Sequence, residues 1–374
     1  KARLNDERVK EKEDFLEKMK HKWSEHEKDV ENHIQQICRN NIITYISQEE
    51  FPHPRNKPDN SIEIMDQLVV FDAKSPVIKL IENNFEVLIA DDLSNSTIES
   101  IDRIEKITNV RPAFINIDLK EVAKVRTLFH DFQQIDAVIH FAAHKAVGES
   151  VQKPLMYYQN NLFSLINILT CQLEVPIHNF IFSSSATVYG TPETLPITEK
   201  NETQRPFSPY GNTKKIAEEI IEDCTKASLN FSAISLRYFN PIGAHSSGLI
   251  GELPNGIPNN LMPYITQTAT GLREKLMVYG NDYPTKDGTP IRDYIHVVDL
   301  AEAHLSALKR LLNKAQDSTF EIFNLGTGKG YSVLEVIDTF EKVANQKLNY
   351  EITERREGDV PFLYAATKLA EEKL

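Results

Sequence analysis

Glycine is missing from the first 147 residues of this 374-residue chain, whereas 14 glycines follow from Gly148 onward. A loop in the first part that needs a positive φ, or a close backbone approach to a phosphate, lacks its usual residue. No uninterrupted apolar run of about 18 residues occurs, which argues against a membrane-spanning helix. The charged N-terminus also lacks the apolar segment that is typical of a secretory signal.

Cysteine is scarce as well. The three cysteines, Cys38, Cys171 and Cys224, show no spacing typical of a metal site or a disulfide framework. We therefore expect a cytoplasmic protein without a metal centre. The formal net charge is -12, from 54 acidic and 42 basic residues, which argues against nucleic acid as the main partner.

Residues 1–50 are dense in charge, and four apolar residues, Leu16, Trp23, Val30 and Ile37, recur every seven positions. This spacing predicts one long charged helix with an apolar stripe. The stripe has two interpretations, because it would either pack on its own domain or form a short coiled-coil arm.

Two short apolar segments, 61–66 and 68–74, flank Gln67 and predict a β-hairpin. Pro58-Asp59 and Asp72-Ala73-Lys74 fit the PD-(D/E)xK pattern, in which two carboxylates bind Mg²⁺ and a lysine positions the attacking water. With the charged helix before them, residues 1–76 resemble a fragment of an RmuC-type DNA-recombination protein. A DNA-associated nuclease fragment is thus one alternative function, and a charged hairpin without activity is the other interpretation.

From Val77 onward, helical segments alternate with near-continuous apolar strands. The strands read as FEVLIADD, DAVIHFAA, HNFIFSSS and FSAISLRYFN. This alternation predicts an α/β fold, a doubly wound (Rossmann-like) parallel sheet with helices on both faces. After about Phe239 the pattern loosens, which indicates a smaller α/β substrate lobe.

Polar residues that could bind a ligand or transfer a proton lie at the strand ends and on one helix. Asp91 ends a strand, where an acid accepts hydrogen bonds from the ribose of a dinucleotide. Tyr210 and Lys214 are four residues apart on a helix, so the ammonium is expected to lower the pKa of the phenol and make it a usable base. Ser185 ends another strand and would share a proton with Tyr210. An exposed turn acid and a chance Tyr–Lys pair remain the alternative interpretations.

A series of longer strings carries a family resemblance. In order, they are IADDLSNS, HFAAHKAVGESV, FSSSATVYG, SPYGNTKK, LRYFNPIGAH, PNNLMPYI, FNLGTGKGYSVLE and RREGDVP. Residues 77–374 thereby resemble the UDP-glucose 4-epimerase family of extended short-chain dehydrogenases/reductases. The resemblance implies NAD as cofactor and a UDP-hexose as substrate. It also implies interconversion of UDP-glucose and UDP-galactose through a transient 4-keto sugar.

The resemblance assigns roles position by position. Ser185, Tyr210 and Lys214 would form the catalytic set. The residues that it places around NAD are Asp91, Asn95, Asp118, Leu119, Phe141, Ala142, Ala143, Lys145 and Asn160, together with Tyr210 and Lys214. The residues that it places around the UDP-sugar are Asn240, Asn260, Leu261, Tyr279, Arg292, Arg356 and Asp359.

The resemblance also implies a homodimer, because equivalent helices of the family pair across a two-fold axis. The helices around 161–173 and 214–225 present the apolar residues Leu165, Ile168, Leu169, Ile216, Ile220 and Ile221. The alternative is that both stripes only cover the sheet.

Two further comparisons with the family bear on function. Related dehydratases place an Asp–Glu pair after the strand-end serine or threonine, where this chain has Ala186 and Thr187, so an epimerase is favoured over a dehydratase. The family's GxxGxxG turn should fall near Gln67, Val70 and Ala73, and none of these is glycine. An inactive chimera that keeps the epimerase fold is therefore a further alternative.

These observations predict three stretches. Residues 1–76 would hold the charged helix and the nuclease-like hairpin. Residues 77–239 would form an NAD-binding domain that lacks the usual first strand and glycine-rich turn. Residues 240–374 would form mainly a UDP-sugar-binding lobe, shortened at its C-terminus.

Overall fold

The structure is a computed structural model that describes residues 67–71, 74–132, 134–228, 230–252, 258, 260–356 and 359–374. Several predictions lie outside these residues, namely the helix of residues 1–50, the strand 61–66, and Pro58, Asp59, Asp72 and Ala73 of the nuclease pattern. No helix within the described ranges is long and apolar enough to cross a membrane.

Strands and helices alternate through the first two thirds of the described chain. The first elements are β1 (Gln67–Phe71), α1 (Lys74–Glu82), β2 (Glu86–Asp91), α2 (Glu99–Thr108), β3 (Ala113–Asn116), α3 (Val122–Asp131) and β4 (Ile135–His140). They are followed by α4 (Val147–Gln152), α5 (Pro154–Leu173), β5 (Asn179–Ser185), a 3₁₀ turn (Ala186–Tyr189), α6 (Pro209–Ala227) and β6 (Ser232–Tyr238). The four strands that the sequence predicts in this stretch are confirmed.

The remaining elements are shorter and less regular. They are β7 (Asn240–Ile242), α7 (Leu261–Ala269), β8 (Leu276–Tyr279), β9 (Ile291–His296), α8 (Val297–Leu312), β10 (Phe320–Leu325), β11 (Gly330–Ser332), α9 (Val333–Ala344), β12 (Tyr350–Thr353), β13 (Phe362–Leu363) and α10 (Lys368–Lys373). Here β9 pairs with β7, β11 and β13, and β8 pairs with β12.

Seven strands form one parallel sheet in the order β10-β6-β5-β4-β1-β2-β3. The direction of winding reverses between β1 and β4. At such a reversal the loops after neighbouring strands diverge and leave a crevice at the carboxyl ends, where α/β proteins bind their ligands. The predicted doubly wound α/β fold is confirmed, and β10 with α8 returns from the second lobe to this sheet.

Apolar side chains cover both faces of the sheet, since alternate residues of a strand point to opposite sides. One core contains Ile139, Ile181 and Ile234 from the central strands, with helices α1, α2 and α8 packed on it. The opposite core is covered by α3, α5 and α6. The predicted dimer stripe belongs to this second core, because its residues Leu165, Ile168, Leu169 and Ile221 are buried against the sheet.

Strand β1 corrects two sequence predictions. It pairs in parallel with β2 through Gln67–Val70 and with β4 through Gln67–Phe71. Because both of its edges are occupied, this strand has no edge left for a hairpin partner, and the hairpin prediction is wrong for these residues. The prediction that the NAD-binding domain lacks its first strand is also wrong, because β1 takes the central place of that strand.

Candidate active site

The carboxyl end of β5 carries Ser185, the first of the three predicted catalytic residues. Its Oγ accepts a hydrogen bond from the backbone N–H of Thr187 at 3.3 Å and from the Thr187 hydroxyl at 3.0 Å. The Tyr210 side chain also forms a hydrogen bond with Ser185. The structure therefore brings the predicted serine and tyrosine together.

Helix α6 holds Tyr210 in its first turn because the local sequence marks the start of the helix there. The Ser208 side chain caps the helix by accepting a hydrogen bond from the N–H of Gly211 at 3.2 Å. Gly211 also permits a close approach, since a Cβ at this position would lie 3.1 Å from Oγ1 of Thr187. The first turn of α6 thus packs directly on the turn that follows Ser185.

Lys214 lies one helical turn further on and is buried. Its Nζ donates a hydrogen bond to the carbonyl of Ser183 at 2.6 Å and lies 4.8 Å from the ring centre of Phe182. Burial lowers the pKa of Lys214 to about 7, and the carboxylate of Glu218 acts in the opposite direction. Lys214 therefore loses its proton at lower pH than an ordinary lysine does.

The pKa of Tyr210 differs from the expectation. Burial raises the pKa of the phenol, and the hydrogen bond with Ser185 only partly offsets this. The prediction that Lys214 lowers the pKa of the Tyr210 phenol is therefore wrong for the chain without ligands. The physical reason is burial, which disfavours both the phenolate and the ammonium that was to stabilise it.

A cleft opens at the carboxyl ends of β2, β3 and β4. Its lining includes seven of the residues predicted to surround NAD, which are Asp91, Asn95, Asp118, Leu119, Ala142, Ala143 and Asn160. The Asp91 carboxylate accepts hydrogen bonds from the N–H of Leu93 at 2.6 Å and from the Ser96 hydroxyl at 3.2 Å. A carboxylate beside small apolar side chains suits a nucleoside, whose ribose donates hydrogen bonds and whose base is flat and apolar.

Asn160 lies in the same cleft, on α5. Its Oδ1 accepts a hydrogen bond from Lys120 at 3.0 Å, and Lys120 in turn lies 3.0 Å from the carboxylate of Asp118. Lys120 was not among the predicted site residues, although it stands only two positions after Asp118. Phe141 packs instead on the ring of His304, with the ring centres 4.8 Å apart.

Lys145 and Asn260 share one partner. The Nζ of Lys145 lies 3.4 Å from Oε1 of Glu252, and Nδ2 of Asn260 donates to the same oxygen at 2.5 Å. Residues predicted to contact different ligands, NAD and the UDP-sugar, are therefore joined by a carboxylate that sequence reasoning missed. Leu261 begins α7 directly after Asn260, and Asn240 begins β7.

Two arginines of the second lobe meet at Asp359. The Arg356 guanidinium donates two hydrogen bonds to this carboxylate at 2.9 and 3.1 Å, and Arg292 donates one at 3.3 Å. The carbon of the Arg356 guanidinium lies 5.9 Å from the ring centre of Tyr279, which is 42% exposed. Four of the residues predicted to bind the UDP-sugar are thus gathered in one cluster, with a cationic group and an accessible aromatic face.

Behind the catalytic residues lies a buried ion pair that sequence reasoning also missed. The guanidinium of Arg237 donates to the Glu218 carboxylate from Nε at 3.0 Å and from Nη2 at 2.6 Å. The signal was present in the sequence, because Glu218 follows Lys214 by one further helical turn and so lies on the same face of α6.

The strand order and the Ser–Tyr–Lys set at the sheet edge are the arrangement of an extended short-chain dehydrogenase/reductase. The family described as GDP-mannose 4,6 dehydratase matches residues 75–374. A UDP-glucose 4-epimerase of Drosophila melanogaster is 47% identical over 304 residues, which are 80% of this chain and 86% of that protein. A UDP-glucose 4-epimerase of Pasteurella multocida is 48% identical over 298 residues, or 80% of this chain and 87% of that protein.

Solved structures agree with these relatives. A UDP-glucose 4-epimerase from Bifidobacterium longum, in complex with NAD+ and UDP, has a TM-score of 0.79 and 43% identity, and the match covers 82% of this chain and 92% of that one. One from Stenotrophomonas maltophila, with bound NAD and formylated UDP-arabinopyranose, has a TM-score of 0.79 and 41% identity, over 83% and 92% of the chains. The chain belongs to the UDP-glucose 4-epimerase family. The resemblance of residues 1–76 to an RmuC-type protein is not borne out by these comparisons.

The unusual pKa of Lys214 predicts a distinctive pH dependence of stability. The folded-state pKa of about 7 lies below the ordinary lysine value of 10.5, so the unfolded chain binds more protons between these two pH values. The free energy of unfolding of the wild type, minus that of Lys214→Met, should therefore rise with pH from about 7 towards 10. Urea denaturation at a series of pH values measures this difference.

The matched control is Lys215→Met, one position along the helix. Its side chain is 24% accessible and reaches the carbonyl of Thr203, so this variant removes a lysine that is less buried than Lys214. A stability difference for Lys214→Met that does not rise with pH more than that of Lys215→Met would contradict the assignment of a readily discharged lysine.

Proposed function

We propose that this chain is an NAD-dependent UDP-glucose 4-epimerase, which interconverts UDP-glucose and UDP-galactose through a transient 4-keto sugar. The observation that carries the proposal is the position of Ser185, Tyr210 and Lys214. Ser185 is in register with Tyr238 of β6, and β7 follows that strand and pairs with β9, which bears Arg292. Ser185 therefore belongs to the sheet whose strands β2, β3 and β4 form the cleft, and β6 leads through β7 to the strand that bears Arg292.

The chemistry assigned to the chain is the handling of one proton. Tyr210, as phenolate, accepts the proton of the sugar 4-hydroxyl, and Ser185 forms a hydrogen bond that orients the phenol oxygen. Lys214 provides a positive charge on the same helix face. NAD, when bound, would supply the acceptor for the hydride of the sugar C4 and the donor that returns it to the opposite face. Tyr210 then gives the proton back to the oxygen of the product.

The residues assigned to the ligands divide between the two lobes. Asp91 and Asn95 would hold the adenosine ribose, Asp118 and Leu119 would border the adenine, and Phe141 to Ala143 would line the channel to the nicotinamide. Lys145 and Asn160 are proposed to contact the nicotinamide side. The donor set of the cleft supports this assignment at the nucleoside half, as described above.

The UDP part would be held by charge and stacking. Arg292 and Arg356 offer planar guanidinium groups to the diphosphate, with Asp359 fixing both. Tyr279 offers its ring to the uracil, and Asn240, Asn260 and Leu261 complete the pocket. Strong anchoring of the UDP leaves the hexose free to turn, which the transfer of hydride to either face requires.

A dehydratase activity is disfavoured by the residues after Ser185. Elimination of water needs an acid beside the sugar, and the positions that follow hold Ala186, which is buried, and Thr187, whose hydroxyl donates to Ser185. The next carboxylate on this side, Glu218, is already bonded to Arg237 and two serines. The epimerase reaction needs no such acid.

We further propose that the protein works in the cytoplasm as a homodimer. Free thiols at Cys171 and Cys224 support a reducing compartment. Helix α5 still exposes large apolar residues after the sheet is covered, with Leu155 80%, Phe163 51% and Ile166 42% accessible. An interface of two such helices from each chain would bury them.

The first test of the proposal is epimerase activity and its dependence on Tyr210. With saturating NAD, the wild type should convert UDP-galactose into UDP-glucose, measured by anion-exchange chromatography of the two sugars. Tyr210→Phe removes the base and should lower kcat about a hundredfold or more. Tyr158→Phe, which loses a hydrogen bond from Asn212 next to α6, should retain activity. Wild-type protein without conversion would refute the function, and equal loss in both variants would refute the role of Tyr210.

Two adjacent arginines allow a matched test of the diphosphate site. Arg356→Ala should weaken UDP binding in titration calorimetry roughly tenfold to a hundredfold, since it removes charge-assisted hydrogen bonds of about 1.5–3 kcal/mol. Arg355→Ala serves as control, because Arg355 is equally exposed but is paired with Asp282 and stacked on Tyr283. Equal losses, or none, would contradict the assignment of Arg356.

The dimer has its own test in light scattering. The wild type should have the mass of two chains at micromolar concentration, and Phe163→Asp should have the mass of one, because a buried charge without a partner is costly. Leu272→Asp, at a residue that is 73% exposed and follows α7 in the chain, should remain dimeric. A monomeric wild type would refute the homodimer.

A further inference from the structure

Resting on the proposed function, we propose that Glu218 is a positioning residue of the reaction. Its buried carboxylate, paired with Arg237, fixes helix α6 on the sheet and gives Lys214 its counter-charge. Tyr210, Lys214 and Glu218 stand at successive four-residue steps of α6, so they share one face of the helix.

The carboxylate of Glu218 joins three elements. Oε1 accepts hydrogen bonds from the hydroxyls of Ser184 at 2.6 Å and Ser235 at 2.8 Å, and from Nε of Arg237 at 3.0 Å. Oε2 accepts from Nη2 of Arg237 at 2.6 Å. Ser184 belongs to β5, whereas Ser235 and Arg237 belong to β6. A single side chain of α6 is therefore bonded to both strands beneath it.

These bonds act on the residues that carry the chemistry. Ser184 directly precedes Ser185, and Ser183 accepts the hydrogen bond from Lys214. The end of β5 is thus held by α6 at two consecutive turns of the helix. This double attachment sets the distance between Ser185 and the phenol of Tyr210, whose alignment the proton transfer requires.

The ion pair also has an electrostatic effect on Lys214. Burial favours the neutral form of this lysine, and the negative charge of Glu218 favours the ammonium. Loss of the Glu218 charge would also leave the guanidinium of Arg237 uncompensated nearby. Both changes would make Lys214 lose its proton at lower pH.

Among the described residues, Glu218 is the one carboxylate whose charge acts on the pKa of Lys214. The further titratable or charged groups on the elements packed around α6 include His140, Glu149, Tyr157, Tyr158, Tyr189, Tyr210, Arg237, Tyr238 and Glu321, the last of which is paired with Arg310. His140 is neutral, since burial lowers its pKa to about 3. Glu149 already accepts hydrogen bonds from Lys153 and Tyr157.

The test compares two buried carboxylate–arginine pairs. Glu218→Gln removes the charge at the catalytic helix. Glu321→Gln removes the charge from another doubly bonded pair, with Arg310 between β10 and α8, whose side chains are nearly as little exposed. In Glu218→Gln, the high-pH limb of the kcat/KM profile should move down by about one pH unit or more. Its kcat at neutral pH should fall on the order of tenfold, with a smaller change in KM. Glu321→Gln should keep the wild-type profile even where its melting temperature falls.

A second variant separates positioning from simple stability. Glu218→Gln/Arg237→Met carries no unpaired buried guanidinium, so it should recover melting temperature relative to Glu218→Gln. It still lacks the counter-charge, and its pH profile should remain shifted. If either variant shows the wild-type profile and kcat, Glu218 is only structural and the proposal is overturned.

A measurement without catalysis keeps this proposal distinct from the epimerase assignment. The free energy of unfolding is measured against pH for the wild type and for Glu218→Gln/Arg237→Met, each with and without Lys214→Met. The quantity compared is the difference that Lys214→Met makes in each of the two proteins. In the Glu218→Gln/Arg237→Met background, this difference should begin to rise at lower pH than in the wild type. Identical curves would overturn the role of Glu218, whereas a wild type without epimerase activity would overturn the proposed function alone.

Discussion

The attachment of helix α6 to the end of β5 is the constraint on which the site depends. Lys214 forms a hydrogen bond with the carbonyl of Ser183, Glu218 with the hydroxyl of Ser184, and Tyr210 with Ser185. Three consecutive residues of the strand are therefore bonded to three consecutive turns of one helix. A parallel sheet makes this possible, because its strand ends meet at one edge and the following helix returns over them. Burial gives rigidity but disfavours both charges that the chemistry needs.

The absence of glycine before Gly148 limits the binding of the cofactor. Strand β1 and helix α1 are where the fold requires them, yet the segment that joins them has none of the glycines whose backbone N–H groups approach a pyrophosphate in this class. Each charge-assisted hydrogen bond of this kind contributes about 1.5–3 kcal/mol, and the loss of two corresponds to a hundredfold or more in affinity. We therefore expect a site that recognises the nucleoside well and the pyrophosphate poorly.

Sequence reasoning succeeded where a local pattern determines the structure. The apolar strands and the shared helix face of Tyr210 and Lys214 both follow from short-range periodicity. It failed where tertiary context decides. Strand β1 is a short apolar run that suits a hairpin or a parallel sheet equally well, and only its neighbours β2 and β4 settle the choice. The raised pKa of Tyr210 results from burial, which spacing along a helix does not reveal.

The dependence of epimerase rate on added NAD tests the central claim most directly. Protein stripped of nucleotide is assayed with UDP-galactose at increasing NAD concentration, beside an Asp91→Ala variant. The account predicts no conversion without NAD, saturating conversion as NAD is added, and half-saturation at a higher NAD concentration in Asp91→Ala. Absence of conversion at every NAD concentration, or an equal rate in stripped protein without NAD, would contradict it.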